Sequence, residues 1–187
     1  MHTSEDLALA HTWLNAAALP PAATALEAIY AQAAAEIAAR APACWASGRC
    51  CNFEKAGHRL YATGLETAYL LTHTPPSAHP QAGTTALPQL AAPPPSPAPS
   101  CPFLQGNLCS VHTTKPLACR TYFCDRSAGP WQNDLTERAL HSIRSLHDTH
   151  AIPYRYAEWG WMLSLLHEAL SRRTIPHAPH RGAHAAG

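Results

Sequence analysis

Seven cysteines in two groups carry the chemistry of this chain. The first group is CWASGRCC, with Cys44, Cys50 and Cys51. The second is CPFLQGNLCSVHTTKPLACRTYFC, with Cys101, Cys109, Cys119 and Cys124. Thiolates bind soft and borderline metals, which points to zinc, iron or an iron–sulfur cluster. An odd number of cysteines excludes complete internal pairing as disulfides. The opening MHTSEDLALAHTWLN has no basic segment followed by an apolar one, so it does not read as a signal peptide. The chain is therefore expected to be cytoplasmic, where reducing conditions disfavour structural disulfides. No C-x2-C knuckle is present, which argues against a zinc ribbon or finger, and the ferredoxin C-x2-C-x2-C run is absent too. Cys50 and Cys51 are adjacent. In an extended backbone neighbouring side chains point to opposite sides. That favours a cluster of several metal atoms, or two nearby sites, over one ion.

The two groups together resemble the YkgJ-like cysteine-cluster family, a zinc- or iron-chelating domain with a C-x2-C-x2-C-C pattern. The resemblance covers about 40–127. It rests on Cys101-Pro102-Phe103-Leu104, Cys109-Ser110-Val111-His112 and Lys115-Pro116-Leu117-Ala118-Cys119-Arg120, with Cys124 closing the set. What it implies is metal chelation by Cys44, Cys50, Cys51, Cys101, Cys109, Cys119 and Cys124. Ser47 stands where the family pattern has an eighth cysteine. That leaves a position that water, His112, His58 or a substrate could fill. One branch of the family is described as a flagellin lysine N-methylase. This chain has no glycine-rich strand–helix turn for a methyl donor, and that activity is not carried over.

Helices must hold these cysteines, because strand patterns are nearly absent. Residues 4–17 read as a helix with Thr3 or Ser4 as N-cap. A second follows from Pro21 to about Arg40, with Leu26, Ile29, Tyr30, Ala33 and Ile37 at steps of three and four. A third is expected over 63–73. Ten prolines between Pro75 and Pro102 exclude regular structure there, so 74–100 reads as a proline-rich loop, partly polyproline II. The stretch 133–150 reads as a helix that Pro153 ends. The stretch 156–173 reads as another, with Trp159, Met162, Leu163, Leu166 and Leu170 inward. The expected class is mainly α: one small helical metal-binding domain over 1–172, in which two cysteine-rich loops converge, and a disordered tail over 173–187.

Thirteen basic and twelve acidic residues nearly cancel, and no basic block suggests a nucleic-acid or membrane surface. WGWMLSLLHEAL is too short to span a bilayer. Lys115 and Arg120 are placed to offset the charge of thiolates around a divalent ion. The tail histidines His177, His180 and His184 read as a solvated tract. Tyr154, Tyr156, Trp159 and Trp161 could line a pocket, although aromatic residues at such spacing usually belong to a core. No paired-carboxylate, nucleophile-elbow or P-loop pattern occurs. The expected function is chelation of iron, as an iron–sulfur cluster, or of zinc. Two alternatives remain. One is an enzyme using the centre for redox or methyl-transfer chemistry. The other is an interaction module with a structural zinc site.

Overall fold

The computed structural model describes residues 2–75, 78, 100–123 and 129–173. Most of the 74–100 loop, Cys124 and the tail beyond Arg173 lie outside the described residues. Among those described, the chain is mainly helical. Helices α1 (Ser4–Ala18), α2 (Pro20–Arg40), α4 (Gly64–His73), α6 (Gly129–Thr149) and α7 (Trp159–Arg173) form the frame. Two short helices, α3 (Phe53–Ala56) and α5 (Leu117–Thr121), lie beside the cysteines. Four short strands make two ribbons: β1 (Tyr61–Thr63) pairs antiparallel with β4 (Tyr156–Glu158), and β2 (Leu104–Gln105) with β3 (Leu108–Cys109). No described helix is long and apolar enough to cross a membrane.

Local chemistry fixes the frame. Thr3 and Asp6 form a reciprocal capping box at the start of α1, which satisfies two otherwise orphaned N–H groups. Leu7, Ala10, Trp13, Leu14 and Ala17 are the buried face of α1, and it packs on α4 and α7. Gly64 opens α4 directly over the Trp13 ring, where a Cβ would fall 2.2 Å from a ring carbon. Glycine is what lets the two helices approach. The Trp13 indole donates to the Pro153 carbonyl at 2.7 Å. Pro20 and Pro21 begin α2, where their missing N–H groups cost nothing. Its buried residues Leu26, Tyr30 and Ala33 face inward, and α2 packs on α5 and α6.

Three sequence expectations need correction. The helix expected over 156–173 begins only at Trp159, because Tyr156–Glu158 pair with Tyr61–Thr63. Two backbone bonds extend that pairing, Trp159 N–H to the Leu60 carbonyl and Gly64 N–H to the Arg155 carbonyl. Helix α6 starts at Gly129 and stops at Thr149, before Pro153 can act; Ala151 in a left-handed conformation, φ 50°, turns the chain. The cysteines are not all on loops: Cys109 stands on β3 and Cys119 on α5.

Candidate functional site

A turn presents the first cysteines. Gly48 has φ 68°, and the N–H groups of Cys51 and Asn52 both donate to its carbonyl at 3.0 Å. A side chain at Gly48 would press on the Asn107 backbone at 3.2 Å, so glycine serves both the turn and the close approach of the β2–β3 hairpin. Because the chain turns here, the Cys50 and Cys51 sulfurs lie 3.9 Å apart on one side. The extended geometry expected from adjacency does not apply, and the argument it gave against a single ion falls with it.

The second group is tied to the first through the backbone. Cys101 N–H donates to the Cys51 carbonyl at 2.7 Å. The β2–β3 hairpin then returns Cys109 toward Cys101, with Ser110 N–H on the Phe103 carbonyl at 2.9 Å. Pro116 stands at the N-cap position of α5, which carries Cys119, and its carbonyl accepts the Cys119 N–H at 3.0 Å. The Leu117 N–H at its start donates to the buried Glu66 carboxylate at 2.8 Å.

The thiols respond to one another. Cys51 hydrogen-bonds with Cys101, Cys109 and Cys50, and those contacts and its burial push its pKa up. The Cys51 contact lowers Cys50 to about 6, with the charge of Lys115 assisting. The same contact, again with help from Lys115, lowers Cys109 to about 7. Cys101 is lowered, chiefly by Cys51 and also by the Phe103 backbone and the Trp159 indole. Burial pushes Cys119 well up, and the neighbouring Cys101 and Cys109 add to the effect. The contacts thus favour the thiolate at Cys50, Cys101 and Cys109, and the thiolate is both the nucleophile and the metal ligand.

These five thiols border a cavity of about 540 Å³, whose walls include Ile37 and Ala38 of α2, Leu70 of α4 and Trp159 of α7. The Trp159 indole N–H is buried and has no partner of ordinary hydrogen-bond geometry. Of the expected site residues, Cys50, Cys51, Cys101, Cys109 and Cys119 come together. Cys44 lines the cavity but is exposed, and Cys124 lies outside the described residues. None of the six described cysteines is in a disulfide. Ser47 also lines the cavity, and its hydroxyl accepts the Arg49 N–H at 3.4 Å. Among the described residues, no three His, Cys, Asp or Glu side chains are spaced to hold a metal ion as they stand.

Lys115 and Arg120 both line the cavity with the thiols. Lys115 reaches His112 Nε2 at 3.0 Å, and its charge is the main cause that lowers the His112 pKa. Arg120 lies 4.0 Å over the Tyr30 ring and donates to the Thr113 carbonyl at 2.6 Å. The stacking ties α5 to α2. His58 stacks on Tyr122 at 4.9 Å and does not line the cavity. Trp159, which the sequence offered as a possible pocket residue although a core place was favoured, lines the cavity; sequence reasoning missed Glu66 as a support of the site. Thr63-x-x-Glu66 is a legible capping box; the reach of that carboxylate to α5 has no sequence signal.

Comparison with family models, with curated proteins and with solved structures finds no match for this chain.

Proposed function

We propose that this protein binds iron, as an ion or an iron–sulfur cluster, or zinc. Cys50, Cys51, Cys101, Cys109 and Cys119 supply the ligands, and Cys44 and Cys124 are the further candidates. The observation that carries the reading is that Cys50 and Cys51 of the first group and Cys101, Cys109 and Cys119 of the second line one cavity. Bringing several easily ionised thiols together is unfavourable unless a cation takes the protons' place. The 3.9 Å separation of the Cys50 and Cys51 sulfurs also fits. Sulfurs at about 2.3 Å from a tetrahedral metal stand about 3.8 Å apart. The buried Trp159 N–H would donate to a metal-bound thiolate, a common way of tuning such ligands. The family resemblance of the cysteine motifs points the same way.

A second reading builds on the cavity. A purely structural zinc site is closed by its four ligands. Here the thiols open onto about 540 Å³ of mostly apolar space, far more than an ion needs and within the range of small-molecule pockets. That favours a centre that meets a ligand or substrate, as in the redox or methyl-transfer alternative, over a structural site.

Anaerobic purification with metal analysis and an absorption spectrum tests the reading. Stoichiometric iron with a visible band supports a cluster, and stoichiometric colourless zinc supports a zinc site. A folded protein that carries neither metal and ignores chelators would overturn it.

A further inference from the structure

We infer that residues 41–47 form a strap that closes over the thiol cavity on metal binding, bringing Cys44 onto the metal and Trp45 over the cavity mouth. The inference rests on the metal-binding reading above. Cys44 is exposed, whereas the other thiols that line the same cavity are buried or partly buried. Trp45, beside it, is 64% exposed, an unfavourable position for a large aromatic next to an apolar cavity. The strap is weakly held: among the described residues no backbone–backbone hydrogen bond engages residues 42–46.

Its two ends are strained. Ala41 closes α2 at φ 44°, and Ala46 stands at φ 47°. Alanine pays an energy cost in this left-handed region that glycine does not. Strain of this kind, held in an otherwise loose segment, favours departure from the conformation once a compensating contact exists. The cavity that the strap borders is lined by Cys50, Cys51, Cys101, Cys109 and Cys119. The Trp159 indole lies in the wall of the same cavity, with its N–H buried. Cys44 lines the same cavity as those thiols, so closing the strap brings a further sulfur to them. Atoms balance simply: each ligating thiol releases a proton to solvent and gives a sulfur lone pair to the metal.

The test uses the full chain, reduced and metal-free, with cobalt(II) as the probe. Thiolate-to-cobalt absorption reports binding. Iodoacetamide labelling with peptide mapping reports Cys44, and emission compared with a Trp45→Phe variant reports Trp45. We expect cobalt to slow Cys44 labelling about tenfold or more, since a metal-bound thiolate is no longer a free nucleophile, and to shift Trp45 emission to the blue. Cys44→Ser should keep weaker cobalt binding and lose the emission shift. Ala46→Gly relieves the strain of the open form alone and should weaken cobalt binding about tenfold. Thiolate-to-cobalt absorption with Cys44 labelled at its metal-free rate and Trp45 emission unmoved would overturn the strap and leave metal binding intact. No such absorption at all would overturn metal binding itself.

Discussion

The backbone N–H of Leu117 donates to the Glu66 carboxylate at 2.8 Å, across 51 residues of sequence. The same carboxylate accepts the Tyr30 hydroxyl at 3.2 Å and the Thr63 N–H and hydroxyl at 3.0 Å. One buried side chain therefore ties α2, the start of α4 and the start of α5, two residues ahead of Cys119. Glu66→Gln keeps the shape but offers one acceptor oxygen where two served, and turns an amide NH2 toward N–H and O–H donors. The expected loss is about 2–4 kcal/mol in urea unfolding, with Cys119 alkylated faster in the folded protein. An unchanged urea midpoint would show that this carboxylate does not hold α5.

Helix approach at Gly64 gives a second test. Gly64→Ala places a methyl group inside contact distance of the Trp13 ring. Overpacking of this kind costs about 1–3 kcal/mol or more. Trp13→Phe removes part of the obstructing ring, so the same glycine change should cost less in that background. Additive costs in a double-mutant cycle would contradict the contact.

Acid sensitivity should come in part from His147. It is buried, its Nδ1 meets the Ile152 carbonyl at 3.1 Å and its Nε2 has no partner. Burial holds its pKa below the ordinary 6.5. The unfolded chain therefore takes up a proton at a higher pH than the folded one. Stability is full above about pH 6.5 and falls as pH drops from there toward the folded pKa. His11, lowered by burial, and His112, lowered by Lys115, act in the same direction. His147→Gln should flatten the slope between pH 7 and 5 without removing it. A slope equal to wild type would exclude His147 as a contributor.

In the metal-free protein, Cys51 is expected to set the reactivity of its neighbours. Its contact is the first cause that lowers both Cys50 and Cys109. Cys51→Ala cannot donate, so the alkylation midpoints of Cys50 and Cys109, expected near pH 6 and 7, should move toward the ordinary value of 9.0. Midpoints that stay in place would assign the shifts to Lys115 instead.

The long elements were legible because their apolar spacing is helical. Thr3 capped α1, the paired prolines opened α2, and Arg172 and Arg173 closed α7, as the sequence suggested. The three-residue strands were not legible. Tyr61–Thr63 and Tyr156–Glu158 hold each other across nearly a hundred residues, and nothing local in YAT or YAE marks the pairing. The cysteines were visible as a set, but their geometry was not. Reading Cys50 and Cys51 as extended ignored the turn that Gly48 makes through its positive φ and its fit against Asn107. The buried ends of Glu66 and Trp159 depend on tertiary packing that no short motif encodes.

The most direct measurement is X-ray absorption at the edge of whichever metal accompanies the anaerobically purified chain. This account predicts a first shell dominated by sulfur at about 2.3 Å, with sulfur neighbours lost in Cys51→Ala and Cys119→Ser. A shell of oxygen and nitrogen only, or an absence of stoichiometric metal in folded protein, would contradict it.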